Sequence, residues 1–280
     1  MSSGVLDQLR VPVVQAPMAG GPSTPALAVA VSEAGGLGFL AAGYRTAAAV
    51  RDDIVAVRAA TDRPFGVNLF VPTPDRVDRS LLAGYVERVR REAVMYRCAT
   101  GDAVWGDDGW EEKLAMLVVE RPPVVSVAFG CPGAEVIGRL HGAGIEVWVT
   151  VTELAEAKAA AAADADALVA QGIEAGAHRG AFSDVDGVGE IGLLTRAFSG
   201  RRARGIVNGF LARNNALAPA AYPHVVGLTA PLRSAARERD DPEMLNLWAG
   251  QAYTAIDHGV PAAHVVERIG REIAEALGSD

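Results

Sequence analysis

Ten consecutive residues, Gln171–Gly180 (QGIEAGAHRG), set an amide, a carboxylate and an imidazole among three glycines. Glycine lets a backbone approach a ligand closely and take turns that other residues resist. An imidazole has an unperturbed pKa of about 6.5, so His178 is suited to moving a proton near neutrality. The stretch follows Ala167-Leu168-Val169-Ala170, an apolar run that reads as a buried strand. His178 therefore stands where a parallel strand presents catalytic groups, at its C-terminal end.

The elements that position this stretch alternate along the chain. Short apolar runs read as strands at Val11–Ala16, Leu37–Ala42, Phe65–Val71, Val124–Phe129, Glu146–Val151 and Ala167–Ala170. Helical patterns fall at Pro25–Ala34, Thr46–Ala60, Ser80–Arg97, Gly109–Glu120, Glu135–Ala143 and Thr152–Ala163. Strands each followed by a helix imply a parallel sheet. The strand runs are continuous rather than alternating, which suits burial on both faces. No G-x-G-x-x-G fingerprint marks the first turn, which disfavours a dinucleotide fold. Polar or glycine-rich tips end several strands, at Met18-Ala19-Gly20-Gly21, Gly43-Tyr44, Asn68, Gly130 and Gln171, and this fits a (β/α) barrel better. Beyond Gly187 the pattern changes: Leu193–Phe198 reads as a short strand or helix, and helices are expected at Thr229–Glu238, Pro242–Tyr253 and Pro261–Leu277.

Composition narrows the function classes. The chain has 280 residues, half of them hydrophobic, and a formal net charge of -8. Without a basic patch, nucleic acid is not an expected partner. The uncharged stretch Gly20–Ser32 is too short and broken to span a membrane. No basic and apolar leader opens the chain, so no secretory signal is expected. Cys98 and Cys131 lack metal-ligand spacing, no metal is expected, and a cytoplasmic location fits. Cys131 is expected to be a packed thiol, and His141, His224, His258 and His264 to be surface residues. Glu174 is assigned a structural role, Trp248 and Tyr253 core roles, and Arg179 either an anion contact or a surface ion pair.

Several blocks together resemble the class I nitronate monooxygenases, once called 2-nitropropane dioxygenases. They are VVQAPMAGGPSTPALAVAVSEAGGLGFLAAGY near the start, RPFGVNLFVP, VVSVAFGCP, QGIEAGAHRG, LTRAFSGRRARGIVN and LWAGQAY. The resemblance implies a TIM barrel with bound FMN. It implies oxidation of alkyl nitronates, such as propionate 3-nitronate, by dioxygen to a carbonyl compound and nitrite. It makes His178 the base beside the flavin, and Gln171, Gly176 and Asn68 flavin-binding residues. Met18, Ala19 and Gly20 match the first strand's tip, whose backbone lies against the flavin ring, while Ala177 stands where a glycine is usual.

One departure is large. In the family, two more βα units follow the histidine motif and hold the FMN phosphate, whereas here GAFSDVDGVGEIG runs into LLTRAFSG near Gly187–Gly192. At roughly 30 residues per unit, about 60 residues of barrel are missing. The expected organisation is therefore an incomplete (β/α) barrel over residues 1–192, carrying the flavin-site motifs, and a mostly helical segment over 193–280 packing on it. Three accounts stay open. The chain is a relative that no longer holds FMN, or it closes as a homodimer, or Arg201, Arg202 and Arg204 serve the phosphate in place of the missing loops. A basic cluster of this kind is otherwise expected on solvated surface. A related NAD(P)H:quinone reductase and a non-catalytic binding module are the rival functions.

Overall fold

A computed structural model of the chain describes residues 4–183, 194–255 and 259–278. The expected junction at Gly187–Gly192, the boundary between residues 192 and 193, and His258 lie outside the described residues. In chain order the elements begin with α1 (Pro25–Glu33), β1 (Gly38–Ala41), α2 (Ala47–Ala60), β2 (Phe65–Phe70), α3 (Arg79–Met95) and α4 (Trp110–Glu120). There follow β3 (Val124–Ala128), α5 (Ala134–His141), β4 (Glu146–Val151), α6 (Leu154–Ala162) and β5 (Ala167–Ala170). The remainder are β6 (Ala177–His178), β7 (Leu194–Thr195), β8 (Ala203–Arg204), α7 (Gly209–Asn214), α8 (His224–Glu238) and α9 (Ala262–Leu277). The chain forms two compact units from interleaved stretches: residues 1–72, 107–170 and 257–280 in the first, residues 73–106 and 171–256 in the second.

The first unit is a parallel sheet in the order β1-β2-β3-β4-β5 with helices between strands, an α/β arrangement of TIM-barrel type. β-Branched residues fill its middle strands, and Val67, Val125, Val127, Val147 and Val149 are fully buried. Thr24 and Thr46 cap α1 and α2, each hydroxyl accepting a backbone N–H one turn on. α9 packs against α1. The expected first strand contracts to a single parallel bridge, Val14 to Leu37. Pro12 and Pro17 flank it and supply no N–H to a ladder. The far edge differs from expectation as well. Leu168 and Val169 of β5 are 45% and 40% exposed, so this last strand is not buried on both faces.

The second unit packs α3, α7 and α8 around Tyr85, Phe198, Phe210 and Leu228. The Tyr85 hydroxyl donates to the Ala197 carbonyl (2.7 Å), tying α3 to the segment after β7. A small antiparallel sheet, β6-β8-β7, carries His178. The expected helix over Pro242–Tyr253 is instead two single 3₁₀ turns, at Pro242–Met244 and Tyr253–Ala255. Between them the chain runs extended, because the Leu247 carbonyl accepts the Ile206 N–H (2.8 Å) and Trp248 bridges Gly205.

Candidate active site

In the first unit the strand ends gather the expected ring-side residues. Met18, Gly20 and Gly21 line a cavity of about 270 Å³ with Ser23, Ala41, Gly43, Tyr44 and Arg45. Gly20 and Gly21 have φ of 92° and 126°, left-handed backbone that favours glycine, and a Cβ at either would meet nothing within 4 Å. The Ser23 hydroxyl braces this tip by accepting the Met18 N–H (2.9 Å). Ala19 lies between Met18 and Gly20 on the same tip. Asn68, in β2, is buried, and its amide donates to the Ser126 hydroxyl (2.9 Å) and carbonyl (3.2 Å) on β3. Its nitrogen is thus committed to holding two strand ends together.

In the second unit the histidine stretch is fixed from several sides. β6 pairs His178 with Ala203 of β8. The Gln171 side chain brackets the histidine: its amide nitrogen donates to the His178 carbonyl (3.0 Å) and its oxygen accepts the Gly180 N–H (2.8 Å). A Cβ on Gly176 would lie 2.6 Å from the Gly250 nitrogen, so only glycine lets the 249–250 backbone come this close. The imidazole meets the Trp248 ring at 5.5 Å and the Tyr222 ring at 6.2 Å, both edge-on. Burial, with the Arg201 and Arg233 charges second, pushes the His178 pKa down to about 3. The ring is therefore neutral at physiological pH, and a weak base.

Ala177 takes φ of 60°, the left-handed region where a Cβ is penalised. Ala177→Gly is expected to raise stability by about 1 kcal/mol, the relief of strain exceeding the added chain entropy of glycine. Urea unfolding measures it, and a lower midpoint in the glycine variant would refute the strain.

Other expectations are corrected by their surroundings. Arg201 and Arg204 are buried rather than solvated. Arg201 donates to the carbonyls of Arg179 (3.1 Å) and Ala181, and Arg204 to that of Ile173 (2.9 Å). Their guanidiniums clasp the histidine loop. Arg202 is partly buried in the same segment, and its carbonyl accepts the Arg179 N–H (2.9 Å). The Arg179 guanidinium donates to the Gly172 carbonyl (2.7 Å). His224 is fully buried, not on the surface; Arg79 donates toward its Nε2 (3.2 Å), with Asp75 3.6 Å away. Trp248 packs against the core of the second unit, as expected, and also meets the His178 ring. Tyr253 is exposed and packs in no core. Burial pushes the Cys131 thiol up, as expected of a packed cysteine.

The chain as a whole has known relatives. The family model described as nitronate monooxygenase matches residues 4–194 and 190–272, two segments that meet where the junction was expected. The chain belongs to the nitronate monooxygenase family. It is 33% identical over 343 residues to the nitronate monooxygenase of Paraburkholderia phytofirmans, with 95% of this chain and 93% of that protein covered. It is 37% identical over 198 residues to the nitronate monooxygenase of Pseudomonas aeruginosa, covering 66% of this chain and 54% of that one. Among solved structures it is similar to the nitroalkane oxidase of Streptomyces ansochromogenes, with a TM-score of 0.93, 38% identity and 99% of each chain covered. The fold is thus α/β and TIM-barrel-like, with a helical C-terminal segment, and the chain is an oxidoreductase by family. The first alignment is longer than the 280 residues of this chain, so the Paraburkholderia phytofirmans protein carries a stretch without counterpart here. Among the described residues, no helix is long and apolar enough to cross a membrane, and no group of His, Cys, Asp and Glu is placed to hold a metal.

Proposed function

We propose that this protein oxidises alkyl nitronates with dioxygen, giving a carbonyl compound and nitrite, and that it uses FMN to do so. Family membership supports the reaction class. The single structural observation that carries the reading is His178: a partly buried, neutral imidazole, bracketed by Gln171 and flanked by Trp248 and Tyr222. The strand tip Met18-Ala19-Gly20-Gly21, with open space beside Gly20 and Gly21, would lie against the flat face of a flavin ring. In the first unit Asn68 would border that ring; in the second, Gln171 and Gly176 would hold the histidine loop. When bound, the flavin supplies the electron acceptor that the side chains lack.

The protein's own residues do the rest. His178 accepts a proton at its imidazole, and the Trp248 and Tyr222 rings flank it. Its lowered pKa makes it a weak base, which suits a reactant that arrives already as the anion. A cytoplasmic location and a homodimer belong to the same proposal; the exposed edge of β5 is where a second copy would add a strand.

The stretch missing relative to the longer protein favours a second reading, a family member unable to hold FMN. Purification and assay separate the two. The proposed enzyme is yellow, binds added FMN saturably, and consumes oxygen with an alkyl nitronate in the absence of NAD(P)H. A colourless protein that takes up no FMN refutes the proposal, and oxygen uptake that depends on NAD(P)H transfers it to the quinone reductase class.

A further inference from the structure

The first unit has a second concavity, at the starting end of its strands. Phe65, Val124 and Glu146 open β2, β3 and β4, and the sheet is parallel, so the segments before them share one end. A cavity of about 700 Å³ opens there, with Arg58, Asp62, Arg63, Arg121 and Glu146 among its lining residues. The cavity at Met18, Gly20 and Gly21 belongs to the opposite end, and a strand of six residues separates two ends by about 20 Å. The chain carries a net charge of -8, yet three arginines line this one cavity.

Two of the charged residues are committed to the fold. Arg58 binds the Glu120 carboxylate (3.2 Å) and donates to the carbonyls of Glu120 and Arg121 (3.1 Å). Glu146 accepts the Val5 N–H on one oxygen (2.7 Å) and the Trp148 indole N–H on the other (3.1 Å). Among the described residues, the side chains of Asp62, Arg63 and Arg121 have no hydrogen bond or ion pair. Their backbone is held all the same. The Thr61 hydroxyl accepts the Arg63 N–H (3.0 Å) and donates to the Glu33 carboxylate. Arg121 ends α4 with φ of 50°, left-handed backbone where glycine or asparagine is the usual residue and a longer side chain is penalised. Arg58 grips its carbonyl, and its N–H donates to the Leu117 carbonyl (2.7 Å). Turn geometry therefore does not account for arginine at position 121; its guanidinium in the cavity does.

We propose that this cavity binds a phosphorylated sugar, with Arg63 and Arg121 on the phosphate and Asp62 on the sugar hydroxyls. A phosphate near its dianionic form matches two guanidiniums, each of which can meet two of its oxygens. An ionised carboxylate only accepts, so Asp62 repels the phosphate and takes O–H donors, which orients the ligand. The volume falls within the range of small-molecule sites. Anchored backbone lowers the ordering cost of binding. The site lies outside the nitronate reading and does not depend on it.

Ribose 5-phosphate, ribose and inorganic phosphate are titrated into the purified protein by calorimetry at low ionic strength, with and without excess FMN. Ribose 5-phosphate is expected to bind saturably, inorganic phosphate about tenfold more weakly and ribose not measurably, with FMN leaving all three unchanged. Arg63→Gln and Arg121→Gly are each expected to weaken ribose 5-phosphate by about tenfold or more, the loss of one charge-assisted pair. Glycine suits the left-handed turn, so Arg121→Gly keeps the fold. Asp62→Asn is expected to weaken ribose 5-phosphate several-fold and to leave inorganic phosphate as tight as before. The site is overturned if the wild type shows no saturable binding of ribose 5-phosphate, or if both arginine variants bind it undiminished. Displacement by FMN overturns it too, since the phosphate would then sit at the strand tips. Equal affinities for ribose 5-phosphate and inorganic phosphate, unchanged in Asp62→Asn, reduce the site to an adventitious ion only. A protein that binds ribose 5-phosphate as expected but takes up no FMN keeps this site and loses the proposed function.

Discussion

His178→Asn is expected to lower turnover of neutral nitroalkanes by about 10- to 100-fold, short of the largest contributions of a positioned proton acceptor because burial makes this imidazole a weak base. Pre-formed nitronates are expected to lose less, about tenfold at most, because their proton has already left. Asparagine keeps polarity and approximate size but takes up no proton, so the comparison isolates the imidazole. Steady-state oxygen consumption with both substrate forms, on protein of equal flavin content, gives the two ratios. Equal losses on both would remove His178 as the base and leave it a wall of the site.

The same variant carries a stability signature that does not depend on turnover. The His178 pKa is depressed in the folded chain to about 3, against about 6.5 when exposed. Between these values the unfolded chain binds a proton that the folded one does not, so the wild-type protein loses stability as pH falls through that window. Above about pH 6.5 the contribution is fully present. His178→Asn has no such group, and its unfolding free energy is expected to decline less steeply between pH 6.5 and pH 4. Parallel declines in the two proteins would show that the imidazole is not held in dry surroundings.

Sequence periodicity made the first unit legible because its strands are continuous β-branched runs between glycines. β4 and β5 occupy the residues expected, and the helix starts at Pro25 and Ala47 follow from their threonine caps. The second unit was harder to read for a physical reason. β6, β7 and β8 are two residues each, too short to carry any period, and they are held by long-range pairing instead. The lost helix after Pro242 shows the same override: the Ile206 N–H and the close approach at Gly176 hold residues 247–250 extended against local preference.

The candidate site divides similarly. The histidine and the strand-tip glycines were visible because their residue types are unusual for their positions. Trp248 beside His178 was not, since the two are 70 residues apart and tryptophan in an apolar stretch reads as core. His224 was misplaced because Asp75 and Arg79, which lie against it, precede it by about 145 residues. Arg201 and Arg204 read as surface because their partners are backbone carbonyls, which leave no trace in residue type. Charges paired with main-chain oxygens are a general blind spot of composition, and here they shape the histidine loop.

Asp108→Ala is expected to destabilise the protein by about 3–5 kcal/mol, the cost of leaving a buried charge without its partner. Lys113 is 1% exposed, and its ammonium lies 2.7 Å from the Asp108 carboxylate. Burial raises the Asp108 pKa while Lys113 opposes it, so the pair sits where desolvation already competes with attraction. Removing the carboxylate strands the ammonium and releases the Tyr44 N–H from its acceptor at once. The charge and the strain are separable by a second substitution. Lys113→Met in the Asp108→Ala background removes the stranded ammonium and is expected to recover more than half of the lost stability, since apolar replacement of a buried pair is often close to neutral. It does not restore the acceptor of the Tyr44 N–H, so part of the loss remains in the double variant. Urea unfolding of the wild type, Asp108→Ala, Lys113→Met and the double variant completes the cycle. A loss below about 1 kcal/mol in Asp108→Ala would mean that the pair is solvated and screened, and then the left-handed Tyr44 backbone must be held by other contacts, the Phe70 ring among them.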